Sequence, residues 1–272
     1  MVHPARLSKT TPFRLLLGDS VKPDKDHHSA SHDRRRRVRY RARMSPVWRV
    51  QLLLLPAAST VAGCAGSVPG GGREGAFVDY FVYSRDAPGV DDKMTALTPA
   101  HWDYMDRFAD RLVARGPTLS AGGEAHTGSL HIVAVRDAGA ARRFADEEPY
   151  QRAGLFAETT IKRYVNLLGR SMRDRPPAPD MRPSTFLLAR WSAIPVDDRL
   201  VCIARDAIAA RPDHWVFLGL LVTDDGTGCT GVAAAADADS AASERALRDV
   251  LEALRQEQAP TEVHRWQRGG RR

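Results

Sequence analysis

The chain has 272 residues, 43% of them hydrophobic, and a formal net charge of +7 at pH 7. That length allows one or two domains, and the apolar content is enough for a core. The charge is unevenly placed: residues 1–75 hold 14 Lys and Arg against 5 Asp and Glu, whereas residues 76–272 hold 26 against 28. The part with a folding pattern is nearly neutral, which argues against a surface built to contact the phosphates of a nucleic acid.

The first 75 residues read as a disordered basic extension: "HHSASHDRRRRVRYRARM" is polar, charged and poor in large apolar side chains. From Met44, "MSPVWRVQLLLLPAASTVAGCAGS" resembles a bacterial lipoprotein signal (44–64), with Val61-Ala62-Gly63-Cys64 as a lipobox-like end. Its apolar run is too short for a stable membrane span. Three readings stay open here: a dispensable extension, with a start as late as Val78; a lipid anchor at Cys64 if translation begins at Met44; or another role. The first makes the protein cytoplasmic. Cys64, Cys202 and Cys229 show no metal-ligand spacing, so no metal is expected, and Cys202 and Cys229 read as free thiols.

From residue 76 the pattern becomes regular. "FVDYFVYS" is a strand. A helix is predicted with Thr98 as N-cap and Pro99 as first residue. Its inward stripe would be Trp102, Met105, Phe108, Leu112 and Val113, and Gly116-Pro117 would end it. "GGEAHTGS" turns into the strand "LHIVAV", "DAGAARRFADEE" is a second helix capped by Asp137, and "AETTIKRYV" is a strand. "RDRPPAPDMRP" is an extended linker at about 173–183.

The pattern then repeats. Residues 115–144 match 218–247 at a constant shift of 103, pairing Gly116 with Gly219, Gly123 with Gly226 and Gly128 with Gly231. "YFVYSRD" matches "FLLARWS" at a shift of 106. The fold class is therefore α+β: two tandem ferredoxin-like βαββαβ units, at 76–172 and 184–268, whose open sheet faces can cover each other.

His101 would be the third residue of the first helix, heading its buried stripe. There the helix dipole favours a neutral imidazole, the form a general base needs. Glu147 and Glu148 would end the second helix, at the unfavourable end of its dipole, with Tyr150 following Pro149. His126 falls on a turn and His131 on the strand after it, where it reads as facing solvent, with lining the cleft as the alternative. No phosphate loop, nucleotide fingerprint or Ser-His-Asp signature is present.

"PAHWDYMDRFADRLVARGPTL", "HTGSLHIV" and "ADEEPYQRAGLFAETTIKRYVNLLG" resemble the YCII-related domain over about residues 78–170. The resemblance implies a dimeric α+β barrel, here closed within one chain as a pseudo-dimer. It also implies a histidine–acid pair, mapping to His101 and Glu148, where the family often has Asp-Pro-Tyr. Gly116, Pro117, Ser129 and Tyr150 would line the same substrate cleft. The implied chemistry is proton transfer on a small organic acid by a lyase or isomerase, without a cofactor. A non-catalytic ligand-binding or regulatory module of the same fold is the alternative. The second repeat has Ala204 for His101 and Leu251-Glu252-Ala253 for Glu148-Pro149-Tyr150, which makes it a degenerate partner. His101 and Glu148 can meet only if the "EEPY" segment folds back, with Pro149 turning the chain and Tyr150 packing inward.

Overall fold

The computed structural model describes residues 76–176 and 184–270, all within one compact unit. The basic extension, the segment around Cys64 and residues 177–183 of the proline-rich linker lie outside the described residues. Among those described, no helix is long and apolar enough to cross a membrane.

The first half runs β1 (Val78–Asp86), α1 (Asp91–Asp106), a 3-10 turn, β2 (Leu112–Leu119), β3 (His126–Val135), α2 (Ala138–Asp146), α3 (Pro149–Arg152) and β4 (Phe156–Asn166). The second half runs β5 (Ser184–Pro195), α4 (Asp198–Ala209), a 3-10 turn, β6 (Trp215–Val222), β7 (Gly228–Ala236), α5 (Ser240–Ala253) and β8 (Thr261–Trp266). All pairings are antiparallel, and the strands close into one barrel in the order β1-β3-β2-β8-β5-β7-β6-β4.

Strand periodicity divides the core into layers. Phe81 and Tyr83 of β1 point into the barrel, where they join Phe186, Leu188, Phe217 and Trp266 from the other half. Tyr80 and Val82 point outward and are covered by Tyr104 and Met105 of α1 and Phe144 of α2. On the second half, Val201, Ala204 and Ile208 of α4 and Leu247, Val250 and Leu251 of α5 cover the outer sheet face.

The two seams between halves are short. Strand β4 joins β6 from Arg163↔Val222 to Asn166↔Gly219, and β2 joins β8 at Thr118↔Trp266 and Leu119↔Arg265. A glycine sits at each seam, and they are the matched pair Gly116 and Gly219. A Cβ on Gly116 would lie 1.9 Å from the Gln267 carbonyl oxygen, and one on Gly219 would lie 2.3 Å from Tyr164 Cζ. Gly116 is therefore needed for close approach of the chain's last segment. It packs against the 267–269 backbone.

Several sequence expectations need correction. Helix α1 begins at Asp91, and Thr98 and Pro99 lie inside it. No side chain caps its start, and only Asp91 and Asp92 mark the first turn, so the visible cap signal was Thr98. The Thr98 hydroxyl instead donates back to the Met94 carbonyl oxygen at 2.9 Å. Leu112, Val113, Gly116 and Pro117 belong to β2, and the helix ends at Asp106 without them. The β1–β5 match also moves by one residue. Phe81 pairs with Ile132, and Phe186 pairs with Ala235, 103 residues beyond Ile132. The equivalence is thus Phe81 with Phe186, a shift of 105; the shift of 106 would set an outward residue against an inward one.

Candidate active site

Helix α1 lays Met94, Thr98, His101 and Met105 along one face. Met94 and Met105 are buried beneath it, so the His101 ring enters the layer between helix and sheet. It sits in the C-terminal half of α1, not at its third residue.

Glu148 is also placed differently from the prediction. Glu147 is the C-cap of α2, whereas Glu148 is the N-cap of the short helix α3, with Pro149 as its first residue. Its Oε2 accepts the Gln151 amide at 2.9 Å, which frees Oε1 for His101 Nδ1 at 2.6 Å. The Glu148 side chain is 4% exposed and that of His101 14%. A carboxylate this deep requires partners, and these two contacts supply them.

Pro149 turns the chain and Tyr150 packs inward, as the sequence requires for the pair to meet. The Tyr150 ring stacks on His101 with centroids 4.5 Å apart and planes 6° from parallel. Its hydroxyl lies 3.0 Å from Thr98 Oγ1, which ties α3 to α1. Burial pushes the Tyr150 phenol above its ordinary range; Glu148 and Asp86 add to this, and the Thr98 contact opposes it. Tyr104, one turn on, is pushed up to about 12 by burial and then by Glu147 and Glu148.

The floor of the site is the outer face of β1, β3 and β4. His131 is buried there, 5% exposed, with its ring 5.9 Å from His101 and edge-on to Phe144 at 5.7 Å. The exposed face read for His131 is therefore incorrect: α1 and α2 cover that side of β3. Burial, reinforced by His101, Arg115 and His126, holds its pKa well below the usual imidazole value. Ser129 is buried on the same face, two residues along β3. Pro117 is its partner on β2, at the margin of this floor. Ser84 Oγ lies 2.9 Å from Thr159 Oγ1, which donates to Gln151 Oε1 at 3.2 Å and links floor to α3.

A second histidine–carboxylate pair was not anticipated. His126 Nδ1 lies 2.6 Å from Asp86 Oδ2, and the His126 ring stands edge-on to Tyr150 at 6.5 Å. The sequence showed His126 only as a turn residue; Asp86 is 40 positions away and carried no signal.

Beside the pair opens a cleft of about 490 Å³, whose walls include Ala100, Pro149, Arg107 and Arg152. Among the described residues no group of three or more His, Cys, Asp or Glu side chains is arranged to hold a metal ion. Cys202 and Cys229 are free thiols, and burial pushes the Cys229 thiol up to about 11. At the positions 103 residues beyond His101, Glu148, His131 and His126 the chain has Ala204, Leu251, Ala234 and Cys229.

Residues 78–165 match the model of the YCII-related domain. The Protein YciI of Escherichia coli O6:H1 is 29% identical over 90 residues, 30% of this chain and 92% of that protein, and that of Shigella flexneri matches to the same extent. Among solved structures, a dehydrochlorinase acting on 5-chloro-2-hydroxyhydroquinone, from Burkholderia phenoliruptrix and in complex with 2,5-dihydroxybenzoquinone, is 29% identical. It covers 31% of this chain and 91% of its own, with a TM-score of 0.30. The chlorite dismutase of Candidatus Nitrospira defluvii in complex with imidazole is 10% identical over 69% of this chain and 90% of its own, with a TM-score of 0.41.

Proposed function

Given that residues 78–165 form a YCII-related domain, we propose that this protein is a cofactor-independent lyase or isomerase that moves a proton on a small organic acid. The observation that carries this reading is the 2.6 Å contact between His101 Nδ1 and buried Glu148. With Nδ1–H donated to the carboxylate, neutral His101 presents Nε2 as a base. Glu148 fixes that tautomer and stabilises the imidazolium that forms, while the stacked Tyr150 ring sets the plane of the imidazole. Ser129 supplies a hydrogen bond from the floor; the neighbouring cleft is lined by Arg107 and Arg152 together with Asp103 and Glu147, so it offers both donors and acceptors to a polar substrate.

The rest of the chain fits the same reading as a tandem duplication closed into an internal pseudo-dimer. Gly128 and Gly231 support it: a Cβ on either would lie 2.4 Å from a backbone oxygen, of Ser84 and Ala189 respectively, residues themselves 105 apart. The second unit closes the barrel and the first holds the chemistry.

The test is exchange of carbon-bound hydrogen in deuterium oxide, followed by NMR. The probes are oxaloacetate, a carboxymethyl-substituted butenolide and a five-carbon γ-hydroxy-α-keto acid, hydroxy-oxopentanoate. Wild-type protein should accelerate exchange in at least one. His101→Asn should reduce that rate by roughly a hundredfold or more, the range for loss of a general base. Equal rates for wild type and His101→Asn, or no exchange with any probe, would leave the non-catalytic ligand-binding module as the reading.

A further inference from the structure

Two imidazoles flank one phenol ring in this site, and both are held in the same way. His101 gives Nδ1 to Glu148 and His126 gives Nδ1 to Asp86, each at 2.6 Å. In both, the carboxylate is nearly buried, with side-chain exposures of 4% and 8%, while the imidazole keeps some access at 14% and 29%. Each histidine therefore turns Nε2 away from its carboxylate, and each lies within 6.5 Å of the Tyr150 ring centre.

The two carboxylates differ in one respect. Both oxygens of Glu148 are engaged, one by His101 and one by the Gln151 amide. Asp86 has Oδ2 on His126, but its Oδ1 is buried and has no hydrogen-bond partner among the described residues. A buried acceptor without a donor is destabilising, and a donor on a bound molecule would remove that penalty. The backbone aims Asp86 at this place: the pairing of β1 with β4 shifts register between Arg85 and Asp86, at the strand's end.

We propose that His126, positioned by Asp86, is the second proton-transfer group of the site, and that the substrate is a small acid bearing a hydroxyl β to its acidic C–H. This rests on the proton-transfer reading of His101 given above. His101 Nε2 takes the C–H proton, and the electron pair left on carbon becomes the new C=C bond. The C–O bond breaks with its pair on oxygen. The leaving hydroxyl, its own O–H donated to Asp86 Oδ1, receives a proton from Nε2–H of His126, which enters the step as the imidazolium paired with Asp86 and leaves it neutral, and departs as water. The proton gained by His101 balances the one lost by His126, and no oxidant or reductant is involved. Asp86 is the positioning residue: it pairs with the His126 imidazolium, holds the plane of its ring and orients the leaving group.

Hydroxy-oxopentanoate separates the two histidines. Its C–H beside the ketone exchanges with solvent after abstraction alone, whereas loss of the hydroxyl gives a conjugated enone acid visible by ultraviolet absorption. Wild-type protein should catalyse both. His126→Asn should lower the ratio of dehydration to exchange by roughly a hundredfold, and Asp86→Asn should lower it by about tenfold, with Asp86→Glu recovering part of the loss. If His101→Asn leaves exchange intact, the underlying proton-transfer reading fails. If His101→Asn abolishes exchange but His126→Asn leaves the ratio alone, only the second group is wrong. A wild type that exchanges this acid without dehydrating it overturns the substrate class. Should His126→Asn fail to fold, the wild-type NMR spectrum decides: adding the acid should move the ring signals of both His101 and His126 at one saturation point. Movement of His101 alone overturns the proposal.

Discussion

Two titratable residues, one buried and one half-buried, act on stability in opposite directions. His131 has its pKa lowered by burial, so it is neutral when folded and takes up a proton on unfolding. Its effect is absent above the unfolded value, near 6.5, and stability is lost as pH falls from there toward the folded value. His131→Gln should therefore flatten the decline in Tm between pH 7 and pH 5, measured by calorimetry. An unchanged slope would contradict its burial as a neutral imidazole. Asp79 behaves inversely, because burial raises its carboxyl to about 6 from 3.8. The folded state holds a proton that the unfolded chain has released, so stability falls as pH rises from about 4 to about 6. Asp79→Asn should stabilise the protein at pH 7, by at most about 3 kcal/mol, and should have little effect at pH 4. Equal shifts at the two pH values would assign the effect to packing.

At the scale of elements, the site depends on α3, a single helical turn that cannot persist alone. Besides the His101 contacts and the Thr159–Gln151 hydrogen bond, it is held by the Glu148 cap on Gln151, the Tyr150 hydroxyl on Thr98, and Tyr150 packing with Val90, Met94 and Leu155. Glu148→Gln keeps an acceptor for the Gln151 amide, while Glu148→Ala removes cap and partner together. The alanine variant should lose roughly 1 kcal/mol more than the glutamine variant, a Tm difference of about 2–4 °C for a fold of this size. The same Tm for both would mean that the cap contributes nothing to the element.

For the whole molecule, the shared interior sets what can stand alone. Phe81, Tyr83, Leu130 and Ile132 from the first half meet Phe186, Leu188, Phe217 and Trp266 from the second. Residues 76–176 alone would expose that apolar layer, together with the unpaired edges of β2 and β4. This fragment should self-associate, read by light scattering after size exclusion, and a dimer would reproduce the barrel with two copies of the site. A stable monomer at tens of micromolar would contradict the shared core.

The sequence by itself determined what depends on local order: the alternation of the strands, the Asp137 cap, confirmed by its 2.7 Å contact with the Ala140 amide, the glycine spacing of 103, and the Pro-Ala-His and Glu-Pro-Tyr segments that carry the first pair. Long-range register and layer packing decided the rest. The start of α1 was hidden because no side chain caps it, and this misplaced His101 by half a helix. His131 seemed exposed because an alternating strand does not say which face a helix will cover. Asp86 and His126 became partners only when β1 paired with β3 and a register shift turned the end of β1. No local signal links two residues 40 apart, since their contact is set by strand pairing rather than by either residue's neighbours.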